Sequence, residues 1–345
     1  MTLQAKDFDY ELPEAQIAQR PPPERAGARL LCLERDSGAR QHCKIPDLPG
    51  LLPPRTLLIA NDTLVFPARL RARRQSGGDV ELLLLERLAQ GQGPAGRWKA
   101  MLRVSKTLRQ AEVLELSIDG AFSDSATAVI ETAPVAGRAE VTISGVDGWD
   151  GVGATPLPPY IRREADAADV ERYQTIYASR EGSVAAPTAG LHLSRPVLQK
   201  VAAANHQIEL LTLHVGPGTF VPVRADAIED HQMEVERYDV PSKTAAAIEA
   251  ARQSGRAIIA VGTTTVRALE ASEGRPGPGS TDLFIRPGHE FSVVDGLLTN
   301  FHLPRSTLLM LVSALAGREP VLAAYREAVS DGYRFYSYGD AMLIR

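Results

Sequence analysis

SVAAPTAGLHLSRPVLQKVAAANHQIELLTLHVGPGTFVPVR, residues Ser183 to Arg224, is the stretch whose reading decides the fold. It holds two small-residue turns, Ala186-Pro187-Thr188-Ala189-Gly190 and Gly216-Pro217-Gly218-Thr219, each beside a histidine, His192 and His214. Between them Ser194 is placed to cap a helix with Pro196 in its first turn, and the helical pattern closes near Asn205. The apolar run Ile208 to Val215 then reads as a buried strand. Turn, helix, buried strand and turn, in that order, predict a βα-type unit in a parallel sheet. Such units gather binding and catalytic groups at the carboxyl ends of their strands, which puts His214 and the Gly-Pro-Gly-Thr turn at a candidate site. Taken alone, a histidine beside glycine also fits a hydrogen-bonded structural role.

Working outward, the texture differs on the two sides of Ala154. Six short apolar or alternating runs fill residues 63–154: Leu64–Leu70, Val80–Glu86, Trp98–Val104, Glu112–Ile118, Ala126–Glu131 and Ala139–Ser144. Gly-rich turns separate them, which predicts a small antiparallel β-barrel or sandwich. Helical and buried-strand patterns lie on both sides. The expected architecture is therefore an α/β main domain, a parallel-type sheet or partial barrel with flanking helices, built from 1–62 and 155–345. The antiparallel β-barrel of 63–154 is an insertion in it. At 345 residues, two domains are the expectation.

Downstream, Asp166 to Ala178 reads as a helix, and Ser242 is placed to cap another that ends near Gly255. Arg256–Val261 reads as a strand running through Gly262-Thr263-Thr264-Thr265 into the helix Val266–Ala271. A helix start ringed by hydroxyls, with Arg267 near, suits a carboxylate or phosphate; ordinary capping by one threonine explains it equally. Glu273–Ser280 reads as a surface loop, and Phe284–Arg286 and Phe291–Val294 as strands. Asn300 and His302 alternate just before the apolar helix Thr307–Ala316. The aromatic run Tyr333–Asp340 reads as a last core strand or a stacking surface for a base.

The composition narrows the class. Hydrophobic content of 44%, charged content of 23% and a net charge of -4 describe an ordinary globular protein without a general basic field. A nucleic acid would be held by local patches; Arg69, Arg71 and Arg73, alternating on one strand face beside Arg74, are one such patch or a solvated face. Cys32 and Cys43 match no metal spacing, so no metal site is expected and a reducing compartment is. The charged N-terminus and the lack of a long apolar run predict a soluble, cytoplasmic protein without a membrane span.

The motifs NDTLVFPARL (Asn61–Leu70), AAPTAGLHLS (Ala185–Ser194), LHVGPGTFVPV (Leu213–Val223), VGTTTVRALE (Val261–Glu270), VVDGLLTNFHLPRSTLLMLVSALAG (Val293–Gly317) and YRFYSYGDAMLI (Tyr333–Ile344) resemble one family in this order. It is the S-adenosylmethionine:tRNA ribosyltransferase-isomerases of queuosine biosynthesis, and the resemblance spans nearly the whole chain. Two departures stand out. Leu193 and Ser194 occupy positions where the family usually has an aromatic residue and a threonine. Met233-Glu234-Val235-Glu236 stands where it usually has Met-His-Ser-Glu, so Glu234 replaces a histidine while Glu236 is kept.

The resemblance implies transfer and isomerisation of the ribose of S-adenosylmethionine onto 7-aminomethyl-7-deazaguanine at a tRNA wobble position. Epoxyqueuosine-tRNA, adenine and methionine are the products. S-adenosylmethionine is consumed, so no cofactor is implied; the partners are tRNA and S-adenosylmethionine, and the family suggests a monomer. The reaction needs a base for the proton beside the sulfonium and an acid for the departing adenine. It draws them from His192, His214 and His302, with Glu236 as carboxylate competitor. Thr263, Thr264, Thr265 and Arg267 would hold the methionine carboxylate or a phosphate. Gly190, Gly216 and Gly218 would let backbone approach the substrate; Thr188, Thr219, Asn300, Tyr338 and Asp340 complete the substrate candidates, and Arg69, Arg71 and Arg73 those for tRNA. The competing expectation is a tRNA-binding homologue that has lost the chemistry; an S-adenosylmethionine methyltransferase would need a Gly-rich first βα turn, which Asn61-Asp62-Thr63 is not.

Overall fold

The computed structural model describes residues 3–89, 91–220 and 228–345, with only the backbone of Thr219 and Phe220. Residues 221–224 of the opening stretch lie outside the described residues. The chain begins with β1 (Arg29–Leu33), β2 (Arg40–Lys44), the single-turn helix α1 (Leu48–Leu51), β3 (Leu57–Asn61) and β4 (Thr63–Val65). Then follow β5 (Arg69–Arg74), β6 (Asp79–Arg87), β7 (Gly96–Val104), β8 (Val113–Ile118), β9 (Ala121–Ile130), β10 (Arg138–Ser144) and the short β11 (Gly153–Ala154). After these come α2 (Ala167–Arg172), β12 (Arg180–Ser183), α3 (Arg195–Ala203), β13 (Gln207–Leu213), β14 (Glu236–Val240), α4 (Ser242–Gln253) and β15 (Ile258–Val261). The last elements are α5 (Thr263–Ser272), β16 (Gly277–Thr281), β17 (Gly296–Asn300), α6 (Thr307–Ala316), α7 (Arg318–Ser330) and β18 (Ala341–Ile344).

Nine strands form one sheet in the order β16-β14-β13-β3-β15-β17-β18-β1-β2. Its centre is parallel: β13, β3, β15 and β17 run the same way. The parallel-type sheet expected from the sequence is corrected to a mixed one. β14 and β16 add antiparallel at one side, and β18 enters antiparallel to β17 while running parallel to β1. Hydrophobic period reports that a strand is buried but not which way it runs, so only the connections could have told these apart.

Both faces of the sheet are covered, which is why β3 is Leu-Leu-Ile-Ala with no alternation of polarity. Leu57 and Ile59 pack on one side with Ile248, Val266, Leu269 and Leu309 from α4, α5 and α6. Leu58 and Ala60 pack on the other with Leu48, Val197 and Val201 from α1 and α3. Full burial of such a side chain contributes about 1.5–3 kcal/mol, so each face is secured by a layer of its own. The Ser194 hydroxyl accepts from the Val197 N–H and caps α3, as its sequence position predicts.

The strands β5-β6-β7-β10-β9-β8 form an antiparallel ring closed by pairing of β8 with β5, and β11 adds to β5. Closure removes exposed sheet edges, and the interior is filled from one face of each strand, as Val80, Leu82 and Leu84 of β6 show. The expected strand Leu64–Leu70 is in fact two. Pro67, which has no N–H for a ladder, separates β4, paired with β12 outside the barrel, from barrel strand β5.

Other boundaries move for local reasons. Glu273–Ser280 is not merely a loop, because Gly277–Thr281 forms edge strand β16 against β14. Proline is tolerated at an edge, and a Cβ on Gly279 would sit 2.5 Å from the Tyr238 ring, so glycine admits that ring. Phe284–Arg286 and Phe291–Val294 form no strands; Ile285, Val293 and Val294 are loop anchors buried in the core. Helix α2 ends at Arg172 rather than Ala178.

Candidate functional site

The four parallel strands β13, β3, β15 and β17 end at one rim of the sheet, and a cleft opens there. Ala186, Pro187, Thr188 and Ala189 from the first small-residue turn line it, with Val215 after β13. Gly262, Thr263 and Thr264 after β15, and Thr299, Asn300 and His302 at the end of β17, complete its floor. Tyr160 and Tyr336, whose ring centroids are 3.9 Å apart, stand beside it. Asn61 at the end of β3 locks the rim. Its Oδ1 accepts from the Leu213 N–H (3.0 Å) and the Thr63 N–H (3.0 Å), and its Nδ2 donates to the Leu213 carbonyl (2.9 Å). Asn61 and Tyr160 are not among the candidates drawn from the sequence, whereas Tyr336 belongs to the aromatic run offered as a stacking surface; a polar residue closing a wholly apolar strand is the available signal for Asn61.

The three candidate histidines do not converge on one point. His302 lines the cleft, with Nε2 2.9 Å from the Thr299 hydroxyl oxygen. His192 stands behind Asn300, with Nε2 3.0 Å from the amide nitrogen of that residue. That nitrogen also donates to the Tyr336 carbonyl at 3.1 Å, which fixes the amide orientation because a carbonyl only accepts. His192 Nε2 is therefore the acceptor. Burial pushes His302 down to about 3 and His192 down to about 4, so both are neutral at pH 7. His192 has its Nε2 lone pair committed to the Asn300 amide, while His302 faces the cleft.

His214 faces a second cleft, between the barrel and the main sheet, lined also by Phe66, Trp98, Trp149, Arg87, Glu181 and Arg237. Its Nδ1 lies 2.9 Å from the Thr63 hydroxyl, which is 2.6 Å from that of Ser183. Burial first, and then Arg237, lower its pKa, while Asp62 opposes them. A Cβ on Gly182 would lie 2.6 Å from the imidazole, so the ring packs flat on bare backbone.

Several expected ligand residues are committed elsewhere. Arg267 forms a buried ion pair with Glu236 and donates to the carbonyls of Leu283 (3.0 Å) and Thr281 (3.4 Å). Glu236 also accepts the Gly216 N–H at 3.0 Å, so the pair fastens the second small-residue turn to α5. Thr265 turns its hydroxyl back to the Val261 carbonyl at 2.7 Å inside α5, which begins at Thr263 and not at Val266. Gly190 makes room for protein: a Cβ there would lie 2.2 Å from the Tyr177 hydroxyl and 2.9 Å from Thr175. A Cβ on Gly218 would lie 2.9 Å from the Glu234 carboxyl carbon, and Glu234 pairs with Arg138 of the barrel. The Thr219 side chain lies outside the described residues.

The profile of the family described as "Queuosine biosynthesis protein" matches residues 5–344. The chain belongs to this family. The S-adenosylmethionine:tRNA ribosyltransferase-isomerase of Anaeromyxobacter dehalogenans strain 2CP-C is 51% identical over 351 residues, covering 99% of both chains. The enzyme of the same name from Acidithiobacillus ferrooxidans strain ATCC 53993 / BNL-5-31 is 50% identical over 362 residues, covering 99% of this chain and 98% of the relative. The crystal structure of S-adenosylmethionine tRNA ribosyltransferase from Thermotoga maritima matches with a TM-score of 0.55 at 34% identity, over 98% of this chain and 100% of that one.

Tyr333, Phe335 and Tyr338 of the C-terminal aromatic run are buried in the core while Tyr336 lines the cleft, and the run is not a strand, since β18 begins only at Ala341. The Tyr338 hydroxyl donates to Asp169 (2.7 Å), whose carboxylate is pushed down to about 2: burial opposes this, and the hydrogen-bonded Arg163 overcomes it. Asp340 accepts the backbone N–H groups of Arg29 (2.9 Å) and Arg334 (2.8 Å). Among the barrel arginines, Arg69 pairs with Glu81 (2.7 Å), Arg73 lies over the Phe122 ring (4.0 Å), Arg74 grips Glu112, and Arg71 is exposed. Among the described residues no three His, Cys, Asp or Glu side chains gather as metal ligands. No single described helix is long and apolar enough to cross a membrane.

Proposed function

We propose that this protein is an S-adenosylmethionine:tRNA ribosyltransferase-isomerase. Its acceptor would be 7-aminomethyl-7-deazaguanine at the tRNA wobble position, and epoxyqueuosine-tRNA, adenine and methionine its products. The carrying observation is the identity of about half over 99% of the chain with relatives that bear this enzyme's name. S-adenosylmethionine is a consumed substrate in this reading, and neither metal nor organic cofactor enters the reaction. The protein would work as a cytoplasmic monomer, with 63–154 as a barrel domain inserted into a catalytic domain of 1–62 and 155–345.

The cleft at the strand ends suits the sulfonium donor. The first N–H groups of α5 at Thr263 and Thr264 offer donors and positive dipole to the methionine carboxylate. His302, neutral and lining the same cleft, would hydrogen-bond the donor beside the sulfonium. The second cleft suits the acceptor base: half-buried Trp149 lines it, the Arg87 guanidinium lies over the buried Trp98 ring, and His214 is an acid or base held by Thr63. Removal of the proton beside sulfur gives an ylide, opening of the ribose releases adenine with a proton, and amine attack with epoxide closure releases methionine.

The test is incubation with ribose-labelled S-adenosylmethionine and tRNA carrying the aminomethyl base, followed by nucleoside mass spectrometry. Ribose label in tRNA with adenine and methionine in equal amount supports the proposal. Binding of tRNA with neither product released would sink it and leave the non-catalytic homologue. In the active case His214→Gln and His302→Gln each reduce turnover by about 10²–10⁴-fold.

A further inference from the structure

Asn300 is buried, borders the strand-end cleft, and has an amide oxygen with no hydrogen-bond partner among the described residues. Buried polar atoms are nearly always paired, so an orphan acceptor at the edge of a ligand cleft calls for an explanation. It does not come from a flipped amide, because the nitrogen is held by the Tyr336 carbonyl at 3.1 Å. A ligand donor is what the oxygen lacks.

The surroundings decide which donor. Among the described residues lining this cleft there is no Asp or Glu to offer an ammonium at Asn300 a counter-charge. A neutral N–H or O–H meets the site better. Beside Asn300 stand the rings of Tyr336 and Tyr160, with an interplanar angle of 45° and centroids 3.9 Å apart. An aromatic wall next to a lone acceptor fits a planar base with an exocyclic amino group. The start of α5 at Gly262-Thr263-Thr264, a helix of 10 residues on the neighbouring strand end, lines the same cleft.

We propose that the donor lies in this cleft with its purine beside Asn300, whose amide oxygen accepts from the 6-amino group. This rests on the reading of S-adenosylmethionine as donor. It makes Asn300 the residue that distinguishes a 6-aminopurine from a 6-oxopurine, since a 6-oxo group would set one acceptor against another.

The experiment compares S-adenosylmethionine with its 6-oxopurine and 6-unsubstituted purine analogues, measuring the Kd of the full-length protein and adenine-type base release with tRNA. For the wild type, the 6-oxo analogue should bind about 10–100-fold more weakly, with the 6-unsubstituted purine between the two. Asn300→Ala should bind S-adenosylmethionine more weakly and lose most of the discrimination, with its fold checked by circular dichroism. If that variant does not fold, the wild-type analogue series decides alone. Wild-type protein that turns over the natural donor yet takes the 6-oxo analogue equally well overturns the inference, and a ribose hydroxyl becomes the partner of Asn300. Wild-type protein that neither binds S-adenosylmethionine nor releases adenine removes the donor assignment, and this inference with it.

Discussion

Replacing Arg267 by alanine separates two roles that the residue could have at the start of α5. As a ligand contact, its loss weakens binding of an anionic group and leaves the fold alone. As scaffold, its loss strands the Glu236 carboxylate in the interior. Side-chain exposure is 4% for each partner, so solvent screens the pair little. Breaking a buried pair on one side costs about 3–5 kcal/mol, because the remaining charge loses its guanidinium partner. The carbonyls of Leu283 and Thr281 lose donors as well, at about 1 kcal/mol each. Together these approach the whole stability of an ordinary domain, about 5–15 kcal/mol. Urea unfolding followed by tryptophan fluorescence and circular dichroism should show Arg267→Ala strongly destabilised. A double replacement, Arg267→Met with Glu236→Leu, should recover most of the loss, since an apolar pair carries no stranded charge. An unchanged unfolding midpoint in Arg267→Ala, with S-adenosylmethionine binding weakened tenfold or more, would refute the scaffold assignment.

Three further outcomes can be measured. Because His192 and His302 are lowered from 6.5 to about 4 and about 3, the unfolded chain takes up their protons first as pH falls. Stability should therefore decline below about pH 6.5, by up to about 1.4 kcal/mol per pH unit per histidine, until the folded-state values are reached. Urea titrations from pH 7 to 5 should show His302→Gln flattening that slope, and an unaltered slope would contradict the burial argument. Gly190→Ala should cost about 1–3 kcal/mol through overpacking against Tyr177, with Tyr177→Phe restoring part of it; thermal unfolding of the single and double variants checks this. On the barrel, Arg71→Ala should reduce the slope of log affinity for tRNA against log salt by about 1, and Arg69→Ala, whose guanidinium is tied to Glu81 and Leu157, should change it less.

The antiparallel barrel and the helix–strand unit after Ser194 were legible because both rest on periodicity. Val80, Leu82 and Leu84 alternate into the barrel, and the Ser194 cap and the β13 run stand in plain order. Strand direction was not legible, nor was the purpose of a glycine. Gly190 lies in a motif that suggests substrate approach, yet what crowds it is Tyr177, thirteen positions earlier and unrelated by any local pattern. Arg267 and Thr265 failed for a similar reason. Position on a helix start says which residues are near an anion site, but not which are already bonded to Glu236 or to the Val261 carbonyl. Asn300 and His302 kept their place at the cleft because their alternation in sequence survives in the segment leaving β17.

The partition of the histidines follows from one pair of consecutive residues. Val215 lines the strand-end cleft and His214 the cleft toward the barrel, so the chain leaving β13 is the wall between the two. That wall is pinned from the far side. The Ser183 hydroxyl accepts the Val215 N–H at 2.8 Å and contacts the Thr63 hydroxyl, which holds His214. β4 and β12, which carry Thr63 and Ser183, pair with each other outside both large sheets. This small two-stranded piece therefore sets the histidine and the wall at once, and one hydroxyl lost from it loosens both clefts. Ser183 and Thr63 are thus positioning residues for His214, although neither lies in the cleft that the sequence motif first marks.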